Sequence, residues 1–189
     1  ASIDTLPLNM NLTAPAYEKI SSLLQSNPVV ESFSPRLKFG GMLSNFTETT
    51  NVRLNGIHPE QEFRTMPLLN DRVLEGKKTL SKGEIIIPVL LAKGLKIKVG
   101  DTVVVIATNA EGSVNGKQFI VSGIMESATG PGGRDGYIHV EDAAEVLRLQ
   151  DKEVSEIAVR LKDFNRLATV GGTLRNKLSG EVNKQGQPV

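Results

Sequence analysis

From Val29 to Phe39 the chain alternates. Odd positions carry Val29, Glu31, Phe33, Pro35, Leu37 and Phe39, and even ones carry Ser32, Ser34, Arg36 and Lys38. A period of two predicts a half-buried strand whose wet face holds the even-numbered residues. Pro35 points to an edge or a bulge, because proline cannot donate to a ladder. Upstream, a strand over Ile3–Met10 leads into a helix over Ala14–Ser26, with Thr13 as N-cap and Ala16, Ile20, Leu23 and Leu24 on one face; Asn27-Pro28 ends it. These elements form a β-α-β unit.

Between residues 44 and 128 the texture changes to strands with short helices. Strands are predicted over Glu48–Ile57, Glu84–Ile87, Thr102–Thr108 and Lys117–Glu126, with one turn of helix over Pro59–Phe63 and a loose polar stretch over Leu68–Gly83. Pro88 opens a helical turn to Lys93, Gly94 closes it, and Gly100-Asp101 turns into the next strand. Ala110–Gly116 reads as a hairpin turn. After a Gly-rich loop, Thr129–Gly136, the α/β texture returns. A strand is expected over Tyr137–Val140, a helix over Glu141–Leu149 and a strand over Glu156–Leu161. A final helix, capped by Asp163 and running to Leu178, would bury Phe164, Leu167, Ala168, Gly171 and Leu174. The expected fold is α+β: a discontinuous α/β lobe (residues 1–43 and 129–189) carrying an inserted β-rich lobe (residues 44–128).

Composition narrows function mainly by exclusion. Lys+Arg 22 against Asp+Glu 21 leaves a net charge of +1, and aromatics make up 4%. Neither a basic footprint nor a stacking platform for nucleic acid is present. There is no cysteine, which excludes disulfides and thiolate chemistry. The longest apolar run, Ile85–Ala92, is far short of the roughly 20 residues of a membrane helix. Both ends of the chain read as cut points within a longer polypeptide.

Candidate chemistry is sparse. The loop Gly130–Gly136 lacks the Gly-Lys-Ser/Thr of a phosphate cradle and opens a strand, so it reads as a linker. His58 and His139 have no metal-ligand spacing, no Gly-x-Ser-x-Gly occurs, and Glu141, Asp142 and Glu145 read as a solvated first helical turn. No active site assembles. What remains is surface. Phe39, Met42, Leu43 and Phe46 form an apolar stretch around Gly40-Gly41, fitted either to core packing where the lobes meet or to contact with a partner or lipophile.

Several segments in order carry a resemblance: Ser34-Pro35-Arg36-Leu37, Asn55–Glu60, Gly83–Val105, Phe119–Ile124 and Tyr137–Leu147. Together they resemble the periplasmic core domain of MacB-like ABC transporter permeases, nearest the lipoprotein-releasing LolC/LolE type. The resemblance implies a domain on the outer side of the inner membrane, between transmembrane helices outside this segment. It also implies a porter-like lobe bearing an inserted Sabre lobe, and a non-catalytic role without a cofactor. Implied partners are a separate ATP-binding subunit or domain, a second permease subunit, a lipoprotein or other amphiphilic cargo, and a periplasmic lipoprotein carrier. In carrier-recruiting members a long hook joins the strands equivalent to Thr102–Thr108 and Lys117–Glu126. Here Asn109–Gly116 replaces it, leaving Asn109 and Lys117 as candidate contacts, and the subunit is either the hookless partner type or a MacB-type exporter of peptides or small hydrophobic compounds.

Overall fold

One strand, β2 (Val30–Ser44), organises the molecule. A computed structural model describes residues 4–109, 111–128 and 133–180. Ahead of β2 come β1 (Asp4–Thr13) and α1 (Ala14–Ser26). After it come β3 (Thr49–Ile57), α2 (Pro59–Thr65), α3 (Leu68–Asp71), β4 (Val73–Gly76), β5 (Glu84–Pro88) and α4 (Val89–Gly94). Then follow β6 (Thr102–Thr108), β7 (Val114–Met125), β8 (Asp135–His139), α5 (Val140–Val146), β9 (Glu153–Leu161) and α6 (Leu167–Leu178), the last entered by a 3-10 turn over Phe164–Arg166. The fold is mixed α+β, with one large sheet and six α-helices among the described residues.

The ladder closes on itself. β2 pairs with β3, β3 with β8, β8 with β5, β5 with β7, β7 with β6, and β6 returns to β2 at Met42–Ser44. A closed ring of six strands leaves no exposed edge to recruit a second sheet. Alternation then sorts the side chains. Leu43, Val52, Leu54, Ile85, Ile87, Val103, Val105, Phe119, Val121 and Ile138 fill the inside, and Leu91 and Ala92 of α4 with Ala143 and Val146 of α5 join the same cluster. Fully burying an aliphatic side chain contributes about 1.5–3 kcal/mol, so this interior is the main store of stability.

The N-terminal half of β2 leaves the ring and pairs with β9, which pairs in turn with β1. There a second cluster gathers Leu12, Ile20 and Leu24 with Phe33, Ile157 and the α6 residues Val170, Leu174 and Leu178. A third, of Ile57, Leu69, Leu80, Ile86 and Met125, lies where α2 and α3 meet the outside of the ring.

Several local expectations need correction. β2 is no edge strand, and its register shift lies between Val30 and Ser32 rather than at Pro35. At Pro35 only β9 is paired, since β3 joins from Arg36, so the missing N–H is tolerated. Ser34 and Arg36, expected on the wet face, are buried beneath α2. The stretch Leu68–Gly83 is not structureless, because it holds α3 and β4. β7 begins at Val114, so the turn after β6 is shorter than composition suggested. Thr13 occupies the N-cap of α1 without bonding it through its side chain, and Asp163 caps the 3-10 turn through the Asn165 N–H, not α6 itself. On α6, Ala168 and Gly171 are exposed and Val170, Leu174 and Leu178 form the buried face; the side chains of Phe164 and Leu167 lie outside the described residues. Residues 129–132 of the Gly-rich loop, Ile3 and Ala110 also lie outside them.

Candidate functional site

Where β2 leaves the ring, charge is concentrated inside the protein. Arg36 of β2 donates from Nε to Glu62 Oε1 of α2 at 2.9 Å and from Nη1 to Glu156 Oε2 of β9 at 2.9 Å. The Ser34 hydroxyl donates to Glu62 Oε2 at 2.7 Å. Glu62 is wholly buried, and Arg36 and Glu156 nearly so. Burial alone would lower the Arg36 pKa, but the Glu62 carboxylate outweighs it and the net shift is upward, so the guanidinium stays charged. Burial raises the pKa of the neighbouring Tyr137 hydroxyl. This cluster ties β2, α2 and β9 together where the two parts of the sheet meet. Sequence reasoning placed Arg36 in solvent and passed over Glu62, whose partners lie 26 and 28 residues away.

A second close contact involves α5. A Cβ on Gly56 of β3 would stand 2.5 Å from the Ala143 Cβ and 3.4 Å from the Val140 Cα, so only glycine lets α5 settle onto the ring here. The first turn of α5 is less solvated than its composition suggests. Asp142 is buried and accepts from the Gly83 N–H at 2.7 Å, while Glu141 pairs with Lys82 and Glu145 with Lys117.

The parallel register of β3 and β8 sets Ile57 against His139, and His58 follows directly. The two histidines that looked unrelated in sequence therefore line one cleft of about 520 Å³ with Gln61, Ser81 and Lys82. His139 Nδ1 accepts from the Glu141 N–H, which fixes the ring as the cap of α5. Burial, then the charge of Lys152 and the presence of His139, hold the His58 pKa below its ordinary 6.5, with Glu141 opposing. A depressed histidine pKa means that the unfolded chain binds the proton more readily. Stability is therefore expected to fall as pH drops through 6.5 toward the folded-state value. Urea unfolding between about pH 8 and pH 5 should show the decline, and His58→Gln should flatten it. Among the described residues no group of three or more His, Cys, Asp or Glu could hold a metal.

The six candidate contact residues separate into distinct environments. Phe39 packs partly buried against the ring interior and Leu43 is fully buried within it. Met42, on the opposite face of β2, is 42% exposed. Asn109 organises the turn after β6, accepting at Oδ1 from the N–H groups of Glu111 and Ser113, and borders a cleft of about 520 Å³ with Ala14, Leu147 and Lys152. Lys117 is held by Glu145 at 2.8 Å and Asp142 at 3.7 Å, and its pKa is raised chiefly by the hydrogen bond to Glu145.

Phe46 is different in kind. It sits at the tip of the β2–β3 hairpin with φ 75° and is 61% exposed. Asn45 holds the tip by accepting at Oδ1 from the N–H groups of Thr47 and Glu48 and donating to the Leu95 carbonyl. A left-handed backbone costs a non-glycine residue about 1–2 kcal/mol, and burial of this side chain returns little. Phe46→Gly is therefore expected to leave stability unchanged or raise it by up to about 1 kcal/mol in chemical denaturation.

The described residues thus form a ring of six strands that shares one strand, β2, with a flanking ladder. The model of the MacB-like periplasmic core domain matches residues 4–177. The chain belongs to that family. Solved structures agree on the fold. The periplasmic region of MacB from Actinobacillus actinomycetemcomitans superposes with a TM-score of 0.63 at 13% identity, over 94% of this chain and 82% of that one. The extracellular domain of the noncanonic ABC-type transporter YknZ from Gram-positive bacteria gives 0.63 at 15% identity, over 99% and 97%. Among curated proteins none matches. As a member of the MacB-like family, the chain is a periplasmic or extracellular domain of a membrane ABC permease. No helix among the described residues is long and apolar enough to cross a membrane.

Proposed function

We propose that this chain is the non-catalytic extracytoplasmic domain of a permease subunit, which converts ATP hydrolysis on the cytoplasmic side into release or export of lipoproteins or other amphiphilic cargo. The observation that carries the reading is β2, a single strand of 15 residues shared by the ring and the β9–β1 ladder. A displacement applied to the ladder is carried into the ring by continuous backbone, and the buried Arg36 cluster stiffens the crossing. In this reading residues 1–43 and 129–189 form the porter-like lobe and residues 44–128 the inserted Sabre-like lobe. The subunit works with a second permease subunit and a separate ATP-binding subunit or domain. In this reading the exposed Met42 and Phe46 and the polar Asn109 and Lys117 are the candidate contacts with cargo or a partner.

A second reading concerns cargo. The turn after β6, from Asn109 to Ser113, closes on itself through the Asn109 N–H to the Ser113 carbonyl at 2.9 Å. So short a turn offers little for a lipoprotein carrier to grip and favours export of peptides or small hydrophobic compounds. Reconstituting the full-length permease with its ATPase in vesicles decides between them. ATP-dependent transfer of a lipoprotein to a soluble carrier supports the first reading. Its absence, together with ATP-dependent movement of an amphiphilic peptide, supports the second.

A further inference from the structure

The end of the ring that carries Phe46 combines exposed apolar side chains with cations that make no ion pair among the described residues. Asn45 Nδ2 donates to the Leu95 carbonyl at 2.9 Å, which sets the hairpin tip against the segment Lys93–Lys98. Lys93, Lys96 and Lys98 are exposed, and none makes an ion pair among the described residues. Beside them a cleft of about 540 Å³ opens between the start of β3 and α4, lined by Leu90, Leu91 and Leu95 with Arg134 and Glu48 on its rim. Leu90 is 51% exposed. Arg134 donates to the Thr50 hydroxyl and the Asn51 carbonyl and makes no ion pair among the described residues. The acids on these segments are Glu48, Asp101 and Asp135; Asp101 accepts from the Lys98 N–H and Asp135 pairs with Arg53. The surface therefore sets leucines beside Thr49 and Thr50 in a cleft, with exposed lysines next to it.

We propose that this tip docks an acidic protein segment, inserting one of its apolar side chains into the cleft at Leu90 and covering Phe46 on the adjoining hairpin tip, while its carboxylates meet Lys93, Lys96, Lys98 and Arg134. Two observations favour a protein over a lipid surface. Leu90, Leu91 and Leu95 line a concave cleft, with Phe46 on the adjoining hairpin tip, which suits one inserted side chain. The tip also lies at the far end of β2 from its pairing with β9 and β1, up to about 45 Å along the strand. The proposal rests on the permease reading only in placing the tip outside the membrane, and it does not depend on which cargo is moved.

The test uses the 189-residue chain with three probes: a labelled synthetic peptide alternating Glu and Leu, its counterpart with Gln for Glu, and vesicles of phosphatidylglycerol with phosphatidylethanolamine. The acidic peptide is expected to bind in fluorescence anisotropy, more weakly as salt rises, and at least about tenfold tighter than the Gln peptide. Phe46→Gly, which should fold normally, should weaken it about tenfold, and the combined Lys93→Glu, Lys96→Glu and Lys98→Glu variant should abolish it. Absence of peptide binding, equal binding of the two peptides, indifference to Phe46→Gly, or stronger binding to vesicles would each overturn the proposal. Transport is not read in this assay, so its outcome is separate from that of the permease reading.

Discussion

Replacing Glu62 by alanine is expected to lower the free energy of unfolding by about 3–5 kcal/mol, a large share of the 5–15 kcal/mol typical of a folded domain. The reason is the charge left behind. Arg36 is nearly inaccessible to water, and its Nε and Nη2 both bond Glu62, leaving only Glu156 to compensate it. Ser34 loses its acceptor in the same step. The cluster as a whole need not be strongly stabilising, because burying three charges costs about as much as their attraction returns. The combined variant Arg36→Met, Glu62→Leu and Glu156→Leu should therefore recover most of what Glu62→Ala loses. Equilibrium urea unfolding of both variants checks this. A single variant as stable as the natural chain would mean that Arg36 can swing out to water.

Gly56→Val should be nearly as severe. Even the Cβ of the new side chain would overlap Ala143, and the Leu37 carbonyl at 3.3 Å leaves no room to turn away. Overpacking a filled interior costs about 1–3 kcal/mol, and α5 has to lift to make room. That movement pulls on the Asp142 bond to Gly83 and on the Lys117–Glu145 pair, which join α5 to the rest of the ring. Ala143→Gly costs about 0.5–1 kcal/mol alone as a glycine within a helix. Combined with Gly56→Ala it should restore more stability than the two single effects predict, and calorimetric melting of the four proteins measures that coupling. Simple additivity would show that α5 does not bear on Gly56.

Much of the ring was legible because strand alternation is a local property. β6 has the boundaries its alternating β-branched run suggested, and the helical turn after Pro88 is present. β7 was placed three residues late because Asn115 and Gly116 carry turn chemistry, although Asn115 pairs with Ala107 in the ladder. Arg36 and Ser34 were read as wet because alternation reports which face a residue is on, not what covers that face. Their burial depends on Glu62, which arrives from α2 only after the chain has folded. His58 and His139 are 81 residues apart, and only the parallel register of β3 and β8 puts them beside one cleft. The exposed tip was legible in part: Phe46 stood out as an apolar residue near the end of a strand. That the backbone holds it in a left-handed turn, while Leu43 three residues earlier is fully buried, is settled by the Asn45 hydrogen bonds and the strand pairing.

The central claim is that this domain relays motion rather than performing chemistry, and ATP hydrolysis and cargo movement measured together test it most directly. In vesicles holding the full-length permease and its ATPase, Gly56→Val should leave ATP hydrolysis within a few-fold of normal and stop cargo movement. Cargo movement that persists while α5 is displaced, or hydrolysis that disappears along with it, would contradict the account.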